Sequence, residues 1–311
     1  MSEVRAKGKE QKSSWFKRKT TKLVLPGMEG LTFHDLVIIF YGGLVKGTFS
    51  ARASAISFSF FMALFPFLLF ILNLIPFIEF IDDFQIEFLV IMDSLLPPEA
   101  SDFFSDIFLD IAARKRGGLL SVVFLLSIFL MANGVNSIFT GFEFSYHTRI
   151  NRSILRQYII AVGVSLILAF LLLITVVVIV YLTYLTEDLK TMGVVTNPVG
   201  WSVAGRYLLL AGMIYIAVAT LYYFGTKESR LSRFFSAGAS FSTVLILLNT
   251  FLFSLYIENF SSYNELYGSI GALLILMMYI WINSNILLLG FELNASLLKL
   301  KKRETIQKKT S

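Results

Sequence analysis

Apolar and polar positions alternate on two scales along this chain. On the longer scale, six runs of about 20 or more mostly apolar residues, the length a helix needs to cross ~30 Å of hydrocarbon, are separated by short polar stretches. They lie at about 50–76, 117–141, 154–185, 203–224, 234–257 and 268–298. On the shorter scale, several runs carry polar residues at helical spacing. The last run reads "YGSIGALLILMMYIWINSNILLLGFELNAS", with Asn283, Asn285, Glu292 and Asn294 all in its second half. Amides and a carboxylate in hydrocarbon need partners or water, so something other than lipid is expected to face this helix.

In the second run Asn133, Asn136, Ser137, Thr140, Glu143 and His147 follow one another at intervals that keep them on one helix face. The fifth run places Ser236, Ser240, Thr243, Thr250 and Ser254 similarly, with Asn249 beside them, and the first adds Ser50, Ser54 and Ser57 on one side with Arg52 and Ser59 on another. Runs three and four show little of this. In an up-and-down bundle the polar groups of runs one, two, five and six fall at similar depth. The pattern therefore predicts a polar cleft open to the cytoplasm, built from Arg52, Ser57, Asn133, Asn136, Thr140, Glu143, Ser240, Thr243, Asn249, Asn285 and Glu292. Each serine or threonine has an equally simple role as helix-packing glue, and Arg52 with Glu292 also reads as a structural ion pair.

Composition supports a membrane assignment. The chain is 56% hydrophobic and 15% charged, with no cysteine for a disulfide or thiolate metal site. The fold class expected is all-α: a polytopic membrane protein of six transmembrane helices with both termini in the cytoplasm. That orientation follows from lysines and arginines near the run ends. Basic residues crowd the tail at 1–30, the connection holding His147, Arg149, Arg152 and Arg156, the connection holding Lys227, Arg230 and Arg233, and the tail at 299–311. Arg114, Lys115 and Arg116, on the expected outer side, run against the rule. Amphipathic interfacial helices are expected before the first span, at 31–49, and as an outer-surface hairpin at about 84–113 around Pro97 and Pro98.

Two stretches carry a family resemblance. "ARASAISFSFFMALFPFLLF" resembles the first-span signature of the YihY/BrkB family of bacterial inner-membrane proteins, historically labelled a ribonuclease BN family. "YIENFSSYNELYGSIGALLILMMYIWINSNILLLGFELNAS" resembles its C-terminal signature through Tyr267, Gly268, Gly271, Trp281, Gly290, Glu292, Leu293 and Asn294. The chain departs from the family pattern after span 4 and at Gly238, which lacks the preceding proline common in relatives. The resemblance implies an inner-membrane location and an activity described variously as ribonuclease, virulence factor, transporter or lipid flippase.

Residue chemistry separates these readings. Two histidines far apart, His34 and His147, do not supply the clustered ligands of a metal-dependent nuclease. The basic tails suit anionic lipid headgroups better than nucleic acid. The expectation is a non-enzymatic transporter or flippase-like protein without cofactor or metal, partnered by membrane lipids. Its energy would come from a gradient or a partner, since no nucleotide-binding motif is present. A non-transporting scaffold that receives a partner helix is the alternative.

Overall fold

The computed structural model describes residues 48–74, 120–143, 153–191, 198–226, 234–259 and 269–310. The terminal segment 1–30, the interfacial helix expected before the first span (apart from residues 48 and 49), the hairpin expected at 84–113 and the basic trio at 114–116 lie outside these residues. All the described secondary structure is helical. We number the helices α1 (Thr48–Leu74), α2 (Leu120–Glu143), α3 (Ile154–Thr191), α4 (Pro198–Gly225), α5 (Ala237–Asn259) and α6 (Ser269–Thr310).

Each contains a stretch long and apolar enough to span a bilayer, so this is a multi-pass membrane protein. The six apolar runs and the six helices coincide, with differences at the ends. Helix α6 is the largest: it does not stop near Leu298 but continues to Thr310. The sequence there, "LKLKKRETIQKK", is rich in straight-chain residues that lose little rotamer freedom in a helix and has no glycine or proline to end one.

Local chemistry sets several ends. Pro198 opens α4, where its missing N–H costs no intrahelical bond. Pro66 lies inside α1; such a proline is tolerated in a membrane helix when neighbouring helices satisfy the freed backbone. Ser236 caps α5: its Oγ accepts from the backbone N–H of Ala239 at 3.3 Å.

Each helix packs against the next in sequence, and α6 closes on α1, so the six form a ring. Two apolar clusters fill it. One, with Phe70, Ile71, Val176, Ile179 and Leu276, lies towards the end where α1 finishes. The other, with Ile56, Phe139, Phe142, Ala219 and Leu288, lies towards the end where α1 begins, which we call the Arg52 end. Large apolar side chains such as Leu125, Phe170, Ile174 and Phe251 cover the outer surface, as expected for a bundle whose solvent is lipid.

The tightest crossing joins α5 to α6. A methyl group on Gly238 would overlap the Gly290 carbonyl, and one on Gly290 would overlap Ser242. Around this crossing Asn294 reaches from α6 to cap α5. Its Oδ1 accepts from the Gly238 N–H at 2.8 Å, and its Nδ2 donates to Ser236 Oγ at 2.8 Å. One amide thus satisfies a free donor in the first turn of α5 and fixes the register of two helices. We expect Gly238→Ala or Gly290→Ala to destabilise the fold by about 1–3 kcal/mol through overpacking, seen as a lowered thermal midpoint in detergent. An unchanged midpoint in both variants would contradict this packing.

Candidate functional site

At the Arg52 end, charge is gathered against a hydrophobic floor. Arg52 Nη1 donates to the Gly141 carbonyl at 3.1 Å, tying α1 to the last turn of α2. Its guanidinium carbon lies 4.7 Å from the centre of the Phe49 ring, a cation–π distance. The charge of Glu292 acts on Arg52. Glu292 itself is buried, with 4% of its surface exposed, so its neighbours have to supply what water would. Ser296, one turn further along α6, keeps a buried hydroxyl without a hydrogen-bond partner.

At about the same level along the helices lies an aromatic layer, since Phe142 follows Gly141 and Phe291 precedes Glu292. Phe142 of α2 stacks on Phe291 of α6 with centroids 4.2 Å apart, and Tyr222 of α4 meets both rings edge-on. All three are buried. The Tyr222 hydroxyl donates to the Leu287 carbonyl at 2.8 Å and lies 2.6 Å from Ser242 Oγ, which also donates to the Ile286 carbonyl at 3.2 Å. The layer is therefore pinned to α4, α5 and α6 at the same level as the Gly238–Gly290 crossing.

Past the aromatic layer, near mid-span, is a cavity of about 360 Å³ to which all six helices contribute. Its walls are mainly apolar: Ile56, Leu64, Met131, Leu172, Ala217 and Leu276 are representative. The polar exceptions are Ser165, Tyr279, Asn283 and Ser284. On the α5–α6 side these join a hydrogen-bonded strip. Thr250 Oγ1 lies 2.7 Å from the Tyr279 hydroxyl, and Asn249 Nδ2 donates to Asn283 Oδ1 at 3.1 Å. Ser57 Oγ donates to Ser284 Oγ at 3.2 Å.

One seam of the ring is thin. Helix α5 gives the cavity only Ile246 among the described residues. The α4–α5 contacts identified, Tyr222 with Ser242, Tyr215 with Ser240 and Phe235, and Tyr223 with Phe234, all sit in the Arg52 half. In the other half Phe253 and Ile257 of α5 pack with Ile275 of α6.

None of the eleven residues proposed for a polar cleft lines this cavity. Arg52 and Glu292 do come together, and Glu143 ends α2 beside Phe142 in sequence. Ser57 pairs with α6 and Asn249 pairs with Asn283. Thr243 bonds back to the Ala239 carbonyl, and Asn285 to the Trp281 carbonyl, within their own helices. Ser240 is exposed and reaches Tyr215 at 3.4 Å.

The α2 stripe faces outwards. Ser137 donates to the Ala55 carbonyl of α1, while Asn136 and Thr140 both accept from Gln157 Nε2 of α3, at 3.0 and 3.3 Å. Asn133 is exposed on the outer surface near mid-span. It is the neighbouring face, with Met131, Gly134, Val135 and Ile138, that lines the cavity.

The sequence reading missed Gln157, Tyr222, Ser242, Tyr279 and Ser284 as elements of these networks. It also passed over Arg206, a half-buried charge just inside the α4 span. Gln157 and Arg206 had a usable signal, being strongly polar residues inside otherwise apolar runs.

The comparisons with known proteins bear on this arrangement. The model of the family described as Virulence factor BrkB matches residues 40–311. The chain belongs to the BrkB family. A Bacillus subtilis (strain 168) protein named "Putative ribonuclease-like protein YfkH" is 26% identical over 259 residues, which are 81% of this chain and 91% of that protein. No solved structure matches.

In this BrkB-family chain the residues of the C-terminal signature have distinct physical tasks: Gly290 permits the α5 crossing, Asn294 caps α5, and Glu292 meets Arg52. Removing one member of a buried charge pair leaves the other uncompensated, at a cost of about 3–5 kcal/mol. Arg52 is only half-buried, so solvent screening reduces this, and we expect about 1–3 kcal/mol for Glu292→Gln or Arg52→Met alone. The double variant should lose less than the sum of the two. Strict additivity in thermal or denaturant unfolding would show that the two charges do not act as a pair.

Proposed function

We propose that this chain is a transporter or flippase-like protein for an amphipathic, lipid-like molecule, and not an enzyme. In this reading it sits in the bacterial inner membrane with both termini and the Arg52 end in the cytoplasm. The observation that carries the proposal is the mid-span cavity. It holds about 360 Å³, is partly open to its surroundings and is walled almost entirely by apolar side chains. A mainly apolar space of this kind inside a membrane bundle suits hydrocarbon better than water. Size and lining both fall in the range of small-molecule sites.

The charged layer and the aromatic layer complete the reading. A molecule moving between the cavity and the Arg52 end has to displace the Phe142–Phe291 stack and pass Arg52 and Glu292. Closure at this point separates a water-facing charged vestibule from a dry interior, which is what alternating exposure of a cargo needs. The ribonuclease name of the Bacillus subtilis relative finds less support: among the described residues no group of three or more His, Asp or Glu side chains is placed to hold a metal ion.

One observation favours a second reading, a scaffold or assembly factor that binds a partner helix. Asn133 presents an amide to lipid near mid-span, where polar groups are costly and usually bond across helices.

Two experiments test these proposals. In proteoliposomes, with and without an imposed proton gradient, the wild type should move a fluorescently labelled uncharged glycolipid between leaflets faster than empty liposomes do. Ala217→Trp, which fills the cavity, should abolish that movement, and Asn133→Leu should leave it intact. Equal flux in wild type, Ala217→Trp and empty liposomes removes the transport reading; loss of a co-purifying protein in Asn133→Leu then favours the scaffold. For orientation, the chain has no native cysteine. Arg303→Cys should react with an impermeant maleimide only after permeabilisation, and Lys190→Cys in intact cells; the reverse pattern overturns the assigned topology.

A further inference from the structure

The cavity wall carries a chemical preference. Its polar strip consists of neutral groups throughout: a tyrosine hydroxyl, an asparagine amide and a serine hydroxyl, from Tyr279, Asn283 and Ser284. Arg52 and Glu292 do not line the cavity, and neither does any other charged side chain among the described residues. A charge brought into the cavity would therefore lose its water and meet no counter-charge on the walls, a heavy penalty in a low-dielectric space.

A neutral polar group faces no such penalty. The Asn283 amide has two donors and two acceptor sites; Asn249 takes one acceptor site and Tyr279 also hydrogen-bonds the amide, leaving capacity for one further partner. The Tyr279 hydroxyl is held by Thr250, which fixes the ring against the cavity edge. An incoming hydroxyl, ester or amide thus finds an oriented partner beside an apolar volume. The thin α4–α5 seam, where α5 offers only Ile246, gives such a molecule a route from the bilayer without crossing the charged end.

We propose that the cavity is a binding site for an uncharged, long-chain amphiphile, such as a fatty alcohol or a diacylglycerol, with its hydrocarbon in the cavity and its polar end at Asn283 and Tyr279. Resting on the transport reading above, this names the chemical class of its cargo. Charged phospholipid headgroups are excluded from the cavity itself.

The test uses the full-length protein in nanodiscs and three diazirine probes of equal chain length, ending in a hydroxyl, a carboxylate and a phosphate, at a pH where both acids are ionised. After illumination, adducts are mapped by mass spectrometry. The alcohol should label the cavity segments of α4 and α6 around Ala217 and Asn283, in preference to both anions. Tyr279→Phe and Asn283→Leu should each erode that preference by up to about tenfold, roughly the worth of one hydrogen bond, while hydrocarbon labelling persists. Ala217→Trp should abolish labelling by all three probes. Equal labelling by alcohol and anions, a preference unchanged in both polar-strip variants, or labelling indifferent to Ala217→Trp would each overturn the proposal. Selective labelling by a protein that moves no lipid in proteoliposomes would keep this site and remove the transport reading.

Discussion

Hydrocarbon supplies no hydrogen bonds, so most polar side chains carried into these six spans find a partner within the protein. That constraint organises the bundle. Asn294 caps α5, Asn283 pairs with Asn249, Gln157 gathers Asn136 and Thr140, and Tyr222 with Ser242 binds the backbone of α6. Each bond joins two different helices, mostly neighbours in sequence, and Tyr222 also reaches from α4 to α6. Individually such contacts contribute ~0.5–2 kcal/mol in a membrane; together they set the register of the ring, which apolar packing against lipid-like side chains specifies poorly.

Register in turn determines what the ring encloses. Because Gly238 and Gly290 let α5 and α6 meet backbone to backbone, Phe291 and the Leu287 carbonyl arrive at the level of Phe142 and Tyr222, and the aromatic layer closes. Short contacts at the Arg52 end and looser ones between α4 and α5 beyond it leave an apolar space at mid-span. The Arg52–Glu292 charges and the cavity both border on this part of the bundle. Anything that loosens the α5–α6 crossing bears on both.

Much of the architecture was legible in the sequence, since length and hydropathy are sufficient to mark a membrane span. The functional interior was harder to read. Periodicity put Asn136, Ser137 and Thr140 on one face of α2, yet a period cannot say which neighbours that face meets; Ser137 turns to α1, Asn136 and Thr140 turn to α3, and the apolar face of α2 lines the cavity. For α6 the two polar sides were legible, and they meet α1 and α5. The aromatic layer left no trace in the sequence because Phe142, Tyr222 and Phe291 are three among many aromatics, and only the crossing geometry brings them together. A search for polar residues was bound to miss an apolar cavity.

The central claim is that the interior is dry and closed from the Arg52 end by the aromatic layer, and it is tested most directly by thiol accessibility at Val218, which lines the cavity behind that layer. In Val218→Cys, a charged methanethiosulfonate applied from either side of inside-out and right-side-out vesicles should fail to react, while a small lipid-soluble thiol reagent should modify the site fully. Rapid modification by the charged reagent from the Arg52 side would mean that water already reaches the interior there, and the seal assigned to the aromatic layer would be wrong.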